Sequence, residues 1–129
     1  MKVFYKDVDQ MGIVYYSRYL EFFEAARTEM LSSIGLDYNK VEENGAMLPV
    51  IEAHTEYKKG ATFGQEICVI TTITELPKVK MTFHYKVTST DSGEILMTGH
   101  TIHAFTNLNG KPIKTPKYIR DLLANHFNI

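Results

Sequence analysis

The chain has 129 residues, of which 44% are hydrophobic and 22% charged, and its formal net charge is -1. A chain of this size can bury a continuous core, so a single domain over residues 1–129 is expected. The near-neutral charge excludes the broad basic surface that nucleic-acid binding requires, and we expect no nucleic-acid partner. Cys68 is the only cysteine, which excludes an internal disulfide and fits a reducing cytoplasm.

The N-terminal segment becomes acidic at Asp7 before any apolar run of signal-peptide length. No stretch approaches the roughly 20 apolar residues of a membrane span. The sequence therefore predicts a cytoplasmic protein without membrane insertion.

The first elements differ in their periodicity. Residues 2–8 alternate incompletely between apolar and polar side chains and predict a short strand. From Ser17 to Ile34 apolar side chains recur at helical spacing, which predicts a long amphipathic helix. Ser17 is its expected N-cap, and Gly35 is its expected left-handed stop. A short helical or irregular stretch at 37–44 follows.

Four strand-like segments occupy about 47–58, 65–75, 79–90 and 94–106. The third is the clearest, because Met81, Phe83, Tyr85 and Val87 alternate with polar residues. Lys117 to Phe127 predicts a terminal helix. One strand, a long apolar helix and an antiparallel run of strands predict an α+β domain in which a curved sheet wraps a central helix.

The stretch DVDQMGIVYYSRYLEFFEAARTEM places two acids and a glycine just before that helix. A helix start presents unpaired N–H groups and a partial positive charge, which suit a developing oxyanion. Asp9 could attack the carbon of an ester or thioester, or activate water. Gly12 would let a ligand approach the main chain. Asp7 is the rival acid, and a purely structural turn at Asp9 is the alternative interpretation.

The stretch FYKDVDQMGIVYYSRYLEFFEAARTEML resembles the opening motif of the 4-hydroxybenzoyl-CoA thioesterase family, with Asp-x-x-Gly-x-Val-aromatic-aromatic leading into a helix. Later segments, including VKMTFHYKV and GKPIKTPKYIRDLL, extend the resemblance over nearly the full chain. It implies the hotdog fold, an acyl-CoA substrate, and a homodimer or homotetramer with sites between subunits. It implies no cofactor, since coenzyme A is part of the substrate.

By position, the resemblance implies that Asp9 is the catalytic carboxylate, acting as nucleophile or general base. It implies that the N–H of Tyr16 holds the thioester oxygen. In one branch of the family a histidine stands where this chain has Tyr16. Tyr15 and Tyr19 are expected to border the acyl group.

Lys58 and Lys59 follow Tyr57 at the end of a predicted strand. The resemblance places coenzyme A phosphates near such positions, and lysine can pair with a phosphate as a point charge. Both lysines are therefore candidate coenzyme contacts, and an ordinary solvated loop is the alternative.

No metal site is predicted. His100 and His103 are three residues apart in a strand and point to opposite faces, and His54 and His84 have no ligand partners at suitable spacing. Two further functional hypotheses remain open: hydrolysis of acyl carrier protein thioesters, and acyl-CoA binding without catalysis.

Overall fold

The computed structural model describes residues Met1–Phe127. The long predicted helix is present as α1, Tyr16–Ser33. Its predicted N-cap is wrong, because Ser17 is the second residue inside the helix. Gly35 has a φ of +87°, which confirms it as the left-handed residue after the helix. Two shorter helices follow in the chain, α2 (Tyr38–Glu43) and α3 (Lys117–His126).

The four predicted strands are all present, and each is shorter than the segment predicted for it. They are β1 (Val50–Tyr57), β2 (Ile67–Thr72), β3 (Lys80–Ser89) and β4 (Ile95–Ala104). They form one antiparallel sheet in the order β1-β4-β3-β2. Between β2 and β3 the register runs from Ile67 opposite Ser89 to Thr72 opposite His84. The α+β prediction is confirmed.

The predicted N-terminal strand is wrong. Tyr5–Asp7 form a turn of 3-10 helix, and nearby Lys2 and Val8 make only isolated bridges. The carboxylate of Asp7 accepts the N–H of Phe4 at 3.0 Å. This local bond closes the turn and competes with an extended chain.

The chain divides into two compact units. The first comprises Met1–Arg27, His54–Thr72 and His84–His100. Within it, the ring of Phe23 on α1 stacks on Tyr85 of β3, with centroids 4.1 Å and planes 4° apart. Both rings are buried. Each large buried side chain contributes about 1.5–3 kcal/mol, so this stack is a main attachment of α1 to β3.

The second unit comprises Thr28–Ala53, Ile73–Phe83 and the described residues from Thr101 onward. Its core includes His103, which is fully buried. One ring nitrogen of His103 pairs with Thr101 Oγ1 at 2.9 Å and the other with the Leu48 carbonyl at 3.0 Å. His103 is therefore a hydrogen-bonded core residue.

Within Met1–Phe127, no helix is long and apolar enough to cross a membrane.

Candidate active site in the loop before the long helix

Asp9 anchors a tight turn just before α1. Its Oδ1 accepts the N–H of Met11 at 2.8 Å and the N–H of Ile13 at 3.2 Å. Gly12 has a φ of +77°, a conformation that side chains disfavour, and its N–H donates to the Asp9 carbonyl at 3.0 Å. The turn predicted as the structural alternative is present, and it is made by one carboxylate oxygen.

The other oxygen of Asp9 is not used by the turn. Oδ2 accepts no hydrogen bond from the described residues, Met1 to Phe127. The half-buried side chain of Asp9 lines a cavity of about 320 Å³ together with Tyr15 and Tyr16. Because only Oδ1 is tied to the turn, Asp9 can hold the loop and present a second oxygen to a ligand.

Asp7 is committed to structure. It is 4% exposed. Its carboxylate accepts the Phe4 N–H, and its Oδ1 lies 3.9 Å from Arg18 Nε. Its main-chain carbonyl accepts the N–H of Tyr15 at 2.9 Å. Asp7 lies outside the residues that line the Asp9 cavity, so the geometry favours Asp9 over its rival.

Tyr16 is the first residue of α1 and lines the Asp9 cavity. The first N–H groups of an α-helix have no partner within the helix, and they carry the positive end of its dipole. The cavity therefore combines a carboxylate with a helix start.

A second cavity, of about 240 Å³, lies next to the first. Ile13, Val14 and Tyr16 line both. The second cavity is further lined by Tyr19, Tyr57, Lys58, Lys59 and Gly60. The shared residues make one continuous lining from the carboxylate to the two lysines.

Tyr19 is buried in the wall of this second cavity. Its hydroxyl oxygen accepts the N–H of Ala61 at 3.2 Å. Burial raises the pKa of the Tyr19 phenol, and the hydrogen bond from Ala61 partly offsets that rise. The phenol therefore stays protonated at neutral pH.

Lys58 and Lys59 are exposed, and each has an acidic neighbour. Lys58 Nζ lies 3.3 Å from Glu56, and Lys59 Nζ lies 3.4 Å from Glu94. Exposed pairs of this kind contribute about 0–1 kcal/mol, so a phosphate can displace the carboxylates at low cost.

The sequence did not predict two contacts in this lining. The ring of Tyr57 packs on the ring of Tyr16, with centroids 4.4 Å apart. Gly60 lies so close to Ile13 that a Cβ added at Gly60 would be 2.6 Å from Ile13 Cγ2. The alternation of Glu56, Tyr57 and Lys58 indicates that Tyr57 faces inward, because only every second residue of a strand does so.

Histidines meet at one place in the first unit. His54, His100 and His84 lie on β1, β4 and β3, with ring centroids 5.2 Å apart for His54 and His100 and 6.0 Å for His84 and His100. Among the described residues no group of three or more His, Cys, Asp or Glu side chains is arranged to hold a metal ion.

Comparison with known proteins identifies the family. A family model described as the thioesterase-like superfamily matches residues 3–123. The chain belongs to this superfamily. This confirms the family that the opening motif predicted.

Relatives and solved structures that resemble this chain cover most of its length. The putative acyl-CoA thioesterase YneP of Bacillus subtilis is 30% identical over 122 residues, which are 94% of this chain and 88% of that protein. A hypothetical protein from Thermus thermophilus is 34% identical, with a TM-score of 0.88 over 97% of this chain and 95% of its own.

A 1,4-dihydroxy-2-naphthoyl-CoA thioesterase from Synechocystis is 23% identical. Its TM-score is 0.88, over 97% of this chain and 93% of its own, and it supports the fold alone. The hotdog fold expected from the sequence is confirmed.

Proposed function

We propose that this protein is a hotdog-fold thioesterase that hydrolyses an acyl-CoA thioester to a free acid and coenzyme A. The observation that carries the proposal is the cavity shared by Asp9 and the start of α1. Thioester hydrolysis requires an attacking or proton-accepting group on one side of the carbonyl and an oxyanion donor on the other. The family membership and the name of the Bacillus subtilis relative support the same reaction.

In the proposed reaction the thioester oxygen accepts the N–H of Tyr16, so negative charge develops beside the helix start. Asp9 either attacks the carbonyl carbon or removes a proton from an attacking water. Attack gives a mixed anhydride and releases the coenzyme A thiolate, and water then cleaves the anhydride. Both routes end with the carboxylic acid and coenzyme A.

We place the pantetheine arm along the lining that the two cavities share. Gly12 keeps the loop open beside Asp9, and Tyr15 and Tyr19 border the acyl group or the arm next to it. Lys58 and Lys59 receive the phosphates of the coenzyme. No cofactor is needed in this scheme, because coenzyme A enters as part of the substrate.

We further propose a cytoplasmic homodimer or homotetramer. Edge strands with exposed apolar residues need a cover. β1 is at the edge of the sheet and exposed along nearly its whole length. A second copy of the chain supplies that cover. The single cysteine fits a reducing compartment.

Replacement of Asp9 by asparagine tests the mechanism. The side-chain amide oxygen of the introduced asparagine can still accept from Met11 and Ile13, so we expect the fold and melting temperature to be retained. We expect kcat to fall by about 10²–10⁴-fold, because an amide neither attacks nor accepts a proton. Release of free thiol from a panel of short-chain, long-chain and aryl CoA thioesters measures the loss.

Asp7→Asn is the matched control. It removes a charge that lies 3.9 Å from Arg18 and is buried, so we expect a loss of about 1–3 kcal/mol in stability and a much smaller effect on kcat. Undiminished hydrolysis by the Asp9 variant, or equal losses in both variants, contradicts the assignment.

The same assays separate the alternatives. Faster hydrolysis of a carrier-protein thioester than of its CoA counterpart assigns the carrier protein as substrate. Tight binding of acyl-CoA without thiol release assigns a binding protein.

A further inference from the structure

The segment that follows β1 runs beside the loop before α1. The N–H of Val14 in that loop donates to the carbonyl of Ala61 at 2.9 Å. One residue away on each side, Ile13 and Thr62 form an antiparallel bridge. Both segments belong to the first unit. Residues 60–62 therefore form a wall against which the loop is placed.

Ile13 is tied to Asp9 by two hydrogen bonds. The N–H of Asp9 donates to the Ile13 carbonyl at 2.9 Å, and the N–H of Ile13 donates to Asp9 Oδ1 at 3.2 Å. One bond holds the main chain of Asp9 and the other holds its carboxylate. A shift of the Ile13 main chain therefore shifts the carboxylate as well.

Gly60 lies directly against the side chain of Ile13. A Cβ added at Gly60 would be 2.6 Å from Ile13 Cγ2 and 3.6 Å from Ile13 Cγ1. Carbon atoms in contact are best separated by about 3.5–4.0 Å, so the shorter distance is a steric overlap. Cγ2 belongs to a β-branched side chain, whose χ1 rotation is restricted. The side chain of Ile13 therefore has little freedom to turn away.

The segment that contains Gly60 is the less movable side of this contact. The two residues before Gly60 both donate their N–H groups to the carbonyl of Leu96 on β4, at 2.9 Å each. The residue after it, Ala61, is fully buried, and its N–H donates to the hydroxyl of Tyr19 at 3.2 Å. A side chain added at position 60 therefore displaces the loop.

We propose that Gly60 is a positioning residue for the hydrolysis, which acts through Ile13 on Asp9. The inference rests on the proposed function, because it takes Asp9 as the group that carries the chemistry. Gly60 does not have a positive φ, so alanine at this position adds the overlap without backbone strain. A displacement of about 1 Å at a reacting group can lower the rate roughly a hundredfold.

Steady-state hydrolysis of the best CoA thioester in the panel, followed by thiol release, tests the proposal. We expect Gly60→Ala to lower kcat by about 10–100-fold. We expect KM to change little, because the lysines before Gly60 keep their main-chain bonds to Leu96. A loss confined to kcat is the mark of a displaced reacting group.

Gly99→Ala is the matched control. A Cβ added at Gly99 would also lie 2.6 Å from a neighbour, the carbonyl oxygen of His54. Gly99 is on β4 and lines neither cavity. It should therefore lower the melting temperature but keep the wild-type kcat, measured below the melting temperature of each variant.

Two changes of Ile13 in the Gly60→Ala background separate positioning from general destabilisation. Ile13→Ala removes both γ carbons and with them the overlap, so the double variant should have the same kcat as Ile13→Ala alone. Ile13→Val keeps both γ carbons, so kcat should stay as low as in Gly60→Ala.

Wild-type kcat in Gly60→Ala overturns the proposal, as does an equal loss of kcat in Gly99→Ala. It is also overturned if Gly60→Ala lowers kcat as much beside Ile13→Ala as beside the wild-type isoleucine. A Gly60→Ala protein that does not fold assigns the glycine to stability and overturns the positioning role too.

Asp9→Asn leaves the contact between Gly60 and Ile13 intact and therefore tests the mechanism separately. A loss of kcat in Asp9→Asn without a loss in Gly60→Ala overturns the positioning role alone. Undiminished hydrolysis by Asp9→Asn overturns the mechanism and this inference with it.

Discussion

Tyr19 shows how one side chain links the cavity wall to the core. Its ring is in the wall of the cavity that contains Lys58 and Lys59, and its hydroxyl oxygen accepts the N–H of Ala61. Ala61 is fully buried, so no solvent is available to replace that acceptor. Tyr19→Phe should therefore cost about 1–3 kcal/mol in the free energy of unfolding, measured by urea denaturation.

The pH dependence gives this prediction a second readout. Because the pKa of Tyr19 is raised in the folded state, its stabilising contribution is complete below the unfolded value of about 10 and is lost as the pH rises through the folded value. The alkaline loss of stability should be smaller in Tyr19→Phe. Tyr5→Phe, at an exposed ring, is the control and should behave as wild type.

At the residue scale, sequence reasoning found what is local and missed what is distant. Asp9, Gly12 and Tyr16 are close in the chain, so a motif can carry their arrangement. The contact between Tyr57 and Tyr16 joins β1 to α1, and it depends on strand placement that spacing alone does not give. The N-cap at Ser17 was wrong because the helix begins one residue earlier, which is an ordinary error at a helix end.

Among the elements, β4 is closely approached by its neighbours at Gly99. An added Cβ at Gly99 would lie 2.6 Å from the carbonyl oxygen of His54 on β1 and 3.2 Å from the ring of Phe23 on α1. Gly99→Ala must push apart backbone or a packed ring, so we expect a loss of about 1–3 kcal/mol and a lower melting temperature. Differential scanning calorimetry measures both.

Thr98→Ala is the matched control for that strand. Thr98 is half-buried on the next position of β4, so its loss should change stability by less than about 1 kcal/mol. Equal effects of the two changes would contradict the close-approach argument.

Helices and strands were predictable wherever apolar side chains recur at regular spacing along the whole segment. β3 alternates buried and exposed residues along most of its length, as its sequence pattern predicted. The approach of the rings of His54, His100 and His84 was not predictable, because it requires the strand order β1-β4-β3. The N-terminal strand failed because the Asp7 side chain bonds the Phe4 main chain, and alternation carries no information about such bonds.

For the whole molecule, the edge at β1 determines the expected assembly. Ile51 on β1 is 46% exposed. If a second copy covers this edge, Ile51→Lys buries a charge in the contact and should raise the dimer dissociation constant roughly tenfold or more, equivalent to ~1.4 kcal/mol. Analytical ultracentrifugation over a dilution series measures it.

Ile95→Lys serves as the comparison, since Ile95 is 42% exposed but lies on β4, an inner strand. It should leave the dissociation constant unchanged. A wild-type protein that remains monomeric at high concentration would refute the covered-edge argument.

The divided use of the Asp9 carboxylate has an evolutionary consequence. One oxygen secures the loop, and the proposed mechanism assigns the chemistry to the other. On that mechanism, a descendant that gave up hydrolysis while keeping its architecture would be under selection at this position for loop geometry alone. Asparagine satisfies that demand and alanine does not. Descendants that bind acyl-CoA without cleaving it should therefore carry asparagine at position 9. The residue at this one position would then distinguish non-hydrolysing descendants from active ones.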